Sequence, residues 1–270
     1  MKNLLFIEIA IVCILVGLFC WFCLKQDIQT VYQPPKPTNT IQIRQAVPHC
    51  VNIINERNSR TQSLFSDLNI SIYEKITHKA TARLAYQKNQ QFRMITRSIM
   101  GLESDVGSND TYFWFWSKRM NPPILYYARH ENLFLAGLKT PFNPQWMRES
   151  LGIDIIETKN ATFEINDNIV AVKQIALSPL RELISKIILI DSEHNLIIGH
   201  YLYLENKLIA STEVIEFDYD LPKRIQILWH EEKVKMIWEF NNTRTNININ
   251  PQLWQIPTMN YVSKELGLST

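Results

Sequence analysis

The chain has 270 residues and a net charge of +2, with its 28 Lys and Arg interspersed among 26 Asp and Glu. No basic block or charged tail is present, which excludes the usual signature of a nucleic-acid partner. Of the four cysteines, Cys13, Cys20 and Cys23 lie in the first 24 residues, so the body of the chain holds Cys50 alone and no internal disulfide.

Leu4 to Leu24 is apolar except for Glu8 and is flanked by Lys2 and Lys25. A helix needs about 20 such residues to cross a bilayer. The end of the run, Gly17-Leu18-Phe19-Cys20-Trp21-Phe22-Cys23, offers no A-x-A-like cleavage site. Cys20 follows Phe19 and Cys23 follows Phe22, where a lipid-attachment cysteine follows a small residue. An uncleaved anchor over 1–24 is therefore favoured over a cleaved leader or a lipoprotein. Residues 25–47, with Gln33-Pro34-Pro35-Lys36-Pro37, read as an extended tether. Residues 48–270 are long enough for one domain with a sizeable core.

Val47 to Leu68 reads as a helix with Val51, Ile54, Leu64 and Phe65 on one face. Cys50 is expected to be a small buried apolar residue there. Period-two alternation follows over Ala80–Tyr86, and a second apolar run, Phe92–Ile95, comes after the polar turn Lys88-Asn89-Gln90. Leu102 and Val106 alternate within a turn-rich stretch. Tyr112-Phe113-Trp114-Phe115-Trp116 is an aromatic strand, Pro122-Pro123 breaks it, and Ile124–Ala128 resumes. Asn143 as cap and Pro144 at the first helical position predict a short inserted helix carrying Trp146, Met147 and Leu151 and ending at Gly152. Strands are predicted at 161–165, 169–177, 187–191, 196–204 and 212–219, with turns at Asn195 and Asn206. Residues 225–229 and 234–238 form a hairpin, and the tail from Pro251, with Leu253 and Trp254, is an irregular crossover. No strand–helix alternation supports a parallel sheet. The reading is a mainly β (α+β) domain: a strongly curved antiparallel sheet, an open half-barrel with an N-terminal and an inserted helix over its mouth.

Catalytic constellations are missing. The histidines show no HxH or HExxH spacing, and no G-x-S-x-G, GxGxxG or P-loop occurs among only seven glycines. No metal or cofactor is expected. Glu103 and Asp105 would share a strand face, but such pairs are more often solvated or structural than catalytic. Lys118, Arg119 and Arg129 flank the aromatic strand, as polar strand ends or as contacts for an anionic head group. Four N-x-[ST] matches, at Asn69, Asn109, Asn160 and Asn241, are of the number that arises by chance in an asparagine-rich chain.

The aromatic strand is apolar on both faces, so it is covered on both sides or one face lines an apolar cavity. Phe92, Met94, Phe113, Trp114, Phe115, Trp116, Trp229 and Trp238 are the candidate core or cavity-lining residues. Which face of 112–116 points inward is open, because one register slip exchanges them.

Phe92-Arg93-Met94, then Gly101–Asp110, then Phe113–Trp116 resembles the strand, turn and aromatic strand of the Lol-type lipoprotein carriers, the LolA/LolB-like half-barrels. Asn248 to Pro257 is similar to the terminal segment of that group. The resemblance spans roughly 50–258. It implies a hydrophobic cavity for lipid or lipoprotein acyl chains, no enzymatic activity, and a place on the periplasmic side of a bacterial membrane. It also implies an arginine latch after the second strand, where this chain has Lys88 and Asn89. Two other readings are an envelope sensor or assembly factor that uses the fold to bind a protein, and an enzyme relying on Glu103 and Asp105.

Overall fold

The computed structural model describes residues 47–73, 76–88, 91–136, 144–178, 180–258 and 262–267. The apolar run, residues 25–46 of the tether, Asn89 and the cap Asn143 lie outside these. The described residues form one 14-stranded sheet, in the order β14-β6-β5-β4-β3-β2-β1-β13-β12-β11-β10-β9-β8-β7. It is two meanders joined at one seam. Strands β1 (Ser63–Tyr73), β2 (Thr77–Gln87), β3 (Gln91–Ser98), β4 (Gly101–Ser108), β5 (Tyr112–Ser117) and β6 (Leu125–Arg129) run outward in one direction. Strands β13 (Val234–Thr245), β12 (Leu221–Trp229), β11 (Lys207–Asp218), β10 (Leu196–Leu204), β9 (Leu183–Asp191), β8 (Ile169–Leu177) and β7 (Thr162–Asn166) run outward in the other. The seam is the antiparallel pairing of β1 with β13, from Leu64 opposite Thr245 to Tyr73 opposite Lys235. The two ends do not pair, so the sheet is a curved half-barrel rather than a closed one.

The tight connections follow local chemistry. Asn195, Asn206, Asp167 and Asn246 hold positive φ at turns, a conformation short polar side chains tolerate. The tail ends in β14 (Ser263–Glu265), which pairs parallel to β6 and caps one edge.

The helix α1 (His49–Arg60) is shorter than the periodicity predicted. Ser63 to Tyr73 is strand, because Leu64, Ser66, Leu68, Ile70 and Ile72 alternate inward at period two over the full pairing length of β2 and β13. Leu64 and Phe65 therefore fall on opposite faces: Leu64 joins the concave core and Phe65 packs under the tail. Cys50, Val51 and Ile54 of α1 seal a separate apolar cluster with Val170, Val172, Ile188, Ile190 and Ile197. Cys50 is buried and has no disulfide partner among the described residues, and burial pushes its thiol up. The inserted helix α2 (Pro144–Glu149) is found where predicted, and Gly152 follows at φ +70.

Candidate functional site: the concave face and its plug

Curvature gives the sheet one long apolar inner surface. Leu68, Ile70 and Ile72 of β1, Leu84 and Tyr86 of β2, Phe92 and Met94 of β3, Val106 of β4, and Phe113 and Phe115 of β5 belong to it. Ile225, Ile227 and Trp229 of β12 and Met236 and Trp238 of β13 continue it to Leu202 and Ile184 on the far side. Each register pair repeats the facing, as in Phe92 opposite Tyr86 and Met94 opposite Leu84.

No second sheet covers this surface. It is occupied by residues 146–156, a segment that begins in α2 and continues as an irregular strap. Trp146, Met147, Leu151 and Ile153 point into the concave core, and Ile156 reaches the cluster under α1. We refer to this segment as the plug. Its fastenings are polar and lie at its margins. Asn58 Nδ2 of α1 donates to the carbonyls of Gly152 (3.2 Å) and Asp154 (2.8 Å). Asn55 brackets Ile156, donating to its carbonyl (2.9 Å) and accepting from its N–H (2.7 Å). The Tyr86 hydroxyl donates to Asp154 Oδ1 at 2.5 Å. Burial, then the neighbouring Asp154 carboxylate, pushes the Tyr86 phenol up, so it stays a donor. Lys186 Nζ of β9 meets both oxygens of Glu149 at 2.7 Å, and Gln174 donates to the carbonyl of Glu157. The asparagines of α1 thus use the strap's own backbone as partner, which a loop lacking a regular ladder requires.

With the plug in place the concave face is closed. Trp146, Phe92, Phe113 and Phe115 are buried, and of the two cavities that stand out among the described residues one lies within this face, against Trp146, and the other outside it. One, of about 50 Å³, lies beneath the plug between Glu149, Asp154, Lys186 and His200. The other, of about 560 Å³, is an open polar depression at the β11–β12 turn, lined by Asp218, Asp220, Lys223 and Asn242. The sequence left two readings, a covered core strand or a cavity wall, and the described residues of the concave face pack as a core around the plug.

The eight aromatic and methionine candidates divide. Phe92, Met94, Phe113, Phe115, Trp229 and Trp238 lie on the concave face. Trp114 and Trp116 do not; with Leu125 they form a cluster on the convex face, packed by Leu102, Tyr127 and Ile256. The four aromatics of β5 therefore cannot line one cavity. Gly107 decides the facing: a Cβ there would lie 2.2 Å from the Trp114 ring, so the indole lies flat across the glycine. A glycine opposite a tryptophan on adjacent strands was the available signal for this facing.

The carboxylates suspected of chemistry are structural and share that outer face. Arg93 grips Asp105 through Nε (3.1 Å) and a second nitrogen (2.6 Å), and gives its remaining arm to the Leu253 carbonyl (2.8 Å). Trp114 Nε1 donates to Asp105 Oδ1 at 3.2 Å, and Asn109 Nδ2 donates to the Trp254 carbonyl at 2.9 Å. The tail residues 247–256 are thus riveted over β2 to β5. Glu103 pairs with Arg119 at 3.3 Å. Burial raises its carboxyl, but the Ser98 hydroxyl and Arg119 outweigh that and hold it below the usual range.

The three predicted head-group cations do not gather into one site. Lys118, on the Met100 carbonyl, and Arg119 stand beyond the last residue of β5. Arg129 stands opposite Tyr112, the first residue of β5, 5.3 Å over its ring and 3.9 Å from Glu265. The polar group the sequence did not reveal is a row inside the concave face: Lys186, His200 and Thr212, on β9, β10 and β11. Lys88, at the latch position, reaches α1 by donating to the Ser59 carbonyl at 2.6 Å. Among the described residues no cluster of His, Cys, Asp and Glu is arranged to hold a metal ion.

No family model and no curated protein matches this chain. Solved structures do. A domain described as an outer membrane lipoprotein-sorting protein, from Vibrio parahaemolyticus, aligns with a TM-score of 0.53 at 10% identity over 76% of this chain and 95% of that one. A LolA superfamily protein from Nitrosomonas europaea aligns with a TM-score of 0.51 at 10% identity over 76% and 97%. A DUF1329 family protein from Desulfovibrio piger aligns with a TM-score of 0.50 at 11% identity over 76% and 94%. At such identities the likeness speaks for architecture alone: the chain has the open half-barrel fold of the Lol-type lipoprotein carriers.

Proposed function

We propose that the protein is a non-catalytic envelope protein that binds the acyl chains of a lipid or lipoprotein on the concave face of its half-barrel. In this reading residues 1–24 hold it to a bacterial membrane, with the domain on the periplasmic side. The observation that carries the proposal is the plug: among the described residues a short strap with polar fastenings fills the middle of a continuous apolar surface from β6 round to β9, with Met120, Leu133, Ala136 and Leu266 packed against the same core.

The exchange is close to balanced. An acyl chain of a dozen methylenes offers on the order of 10 kcal/mol at about 0.8 kcal/mol per CH₂, and the displaced side chains of Trp146, Met147, Leu151 and Ile153 forfeit a similar amount at about 1.5–3 kcal/mol each. Each neutral hydrogen bond at the margin adds about 1 kcal/mol to the plug's side, so a ligand displaces it when the freed side chains find other apolar cover. The ion pairs of Asp105 with Arg93 and of Glu103 with Arg119 support the non-catalytic reading, since they give both carboxylates a structural use.

One observation favours a protein partner as a second reading. Ile175, Leu177 and Leu183, each 66% exposed, form an apolar patch on the convex side of β8 and β9. Native mass spectrometry of the full-length protein from the envelope fraction, with lipid extraction of the same sample, separates the two. One acyl-bearing ligand per chain supports the carrier reading. A ligand-free chain that retains a stoichiometric protein partner selects the second.

A further inference from the structure

The concave face carries a serine and threonine row on β3 to β5, Thr96, Ser104 and Ser117, and a second polar row on β9 to β11, which holds an ammonium and an imidazole and reaches under the plug. His200 on β10 stands opposite Thr212 on β11. Lys186 on β9 stands opposite Leu202, the next inward residue after His200. Register places all three side chains on the inner face with Leu202 and Ile184. His200 is 8% exposed and Thr212 0%, yet among the described residues neither His200 Nε2 nor Thr212 Oγ1 has a hydrogen-bond partner. A buried polar group without a partner is a cost that native proteins rarely retain without use. His200 lines the 50 Å³ cavity beneath the plug together with Lys186, Glu149, Gln174 and Asp154.

The third member of the row is satisfied in a telling way. The Lys186 ammonium, 13% exposed, is met by both carboxylate oxygens of Glu149, and Glu149 belongs to the plug. A ligand that lifts the plug takes Glu149 away and leaves a cation inside the half-barrel beside two unpartnered polar groups. Such a cation requires a new anion.

We infer that Lys186, His200 and Thr212 form a recognition site for one anionic group, a phosphate or carboxylate carried by the acyl-bearing ligand, and that Glu149 fills this site from within while the plug is closed. The inference rests on the acyl-binding reading above and adds the chemistry of the ligand's polar end. Lys186 supplies the charge, and His200 Nε2 and the Thr212 hydroxyl supply neutral hydrogen bonds to further oxygens. While the plug is closed, burial pushes His200 down to about 4, with Lys186 adding to the effect, so the ring beneath the plug is neutral.

The test is a titration of full-length protein in phosphatidylcholine nanodiscs with dodecyl phosphate, dodecanol and inorganic phosphate, with empty nanodiscs subtracted. Both dodecyl ligands require the plug to open, so the ratio of their affinities isolates the anionic group. Wild type is expected to favour dodecyl phosphate over dodecanol by about tenfold or more, the worth of one charge-assisted hydrogen bond. Lys186→Met should bring the ratio close to one, and Glu149→Gln, which removes the internal competitor, should raise it. The second variant keeps the test decisive if the first does not fold. Equal binding of the two dodecyl ligands in wild type overturns the anionic site while the carrier reading stands. Failure of both to bind overturns the carrier reading itself. Inorganic phosphate binding as tightly as dodecyl phosphate overturns the assignment to an acyl-bearing ligand.

Discussion

Both faces of the sheet carry apolar clusters covered by irregular chain, the convex one under the tail over β2 to β5 and the concave one under the plug, but the two covers are held by different chemistry. On the convex face the tail is fixed by a buried bidentate ion pair, Arg93 with Asp105, that also holds the Leu253 carbonyl and the Trp114 indole. On the concave face the plug is fixed by neutral hydrogen bonds from Asn55 and Asn58, by the Tyr86 hydroxyl on the Asp154 carboxylate and by a Lys186–Glu149 pair. The first arrangement strands a buried carboxylate if it opens; the second exchanges its asparagine bonds for water or ligand at modest cost and leaves one cation, Lys186, for a ligand's anion to meet. The same sheet thus has one cover built to stay and one built to leave.

The comparison can be broken at its strong side first. Arg93→Met leaves Asp105 buried without its cation and is expected to cost about 3–5 kcal/mol, measured by chemical denaturation. A loss under 1 kcal/mol would mean the outer cover is no firmer than the inner one. Gly107→Val thrusts a side chain into the Trp114 ring and should cost about 1–3 kcal/mol as overpacking. Near-ultraviolet circular dichroism should show the displaced indole.

On the weak side, Asn58→Ala frees the carbonyls of Gly152 and Asp154. Global stability should fall by about 1–3 kcal/mol, while hydrogen exchange quickens selectively over 150–156. Affinity for an acyl ligand should rise, since opening becomes easier. A uniform loss of protection over the whole sheet would show that the plug does not open on its own.

The smallest effect is in pH. His200 is held down to about 4 in the folded protein by burial, against an ordinary value of 6.5. As pH falls, the unfolded chain takes up this proton first. The contribution to stability is therefore complete above about 6.5 and is lost progressively toward 4, by at most roughly 3 kcal/mol. His200→Gln should flatten the stability profile across that window. The difference between wild type and variant is the measurement, because His130 and His230 are also lowered by burial. Identical slopes would place His200 in contact with water rather than under the plug.

Much of the fold was legible because its signals are local. The β12–β13 hairpin, the Asn195 and Asn206 turns, the break at Pro122-Pro123 and the inserted helix at Pro144 each announce themselves within a few residues. Strand β1 was lost because Leu64 and Phe65 extend a helical stripe as readily as they begin an alternation, and only pairing with β2 and β13 decides between them. The convex placement of Trp114 and Trp116 depends on Gly107, a cross-strand neighbour rather than a chain neighbour. The Lys186, His200 and Thr212 row was hidden for the same reason: each is one polar residue in an apolar strand, and only the lateral register brings the three together.

The most direct test of the account is hydrogen exchange of residues 146–156 in the full-length protein, with and without saturating lauric acid. If the plug covers the acyl site, ligand binding should expose the amides of this segment while those of β1, β12 and β13 stay protected or gain protection. Lauric acid bound with the plug amides as protected as before would contradict it, because the ligand would then sit elsewhere and the concave face would be an ordinary closed core.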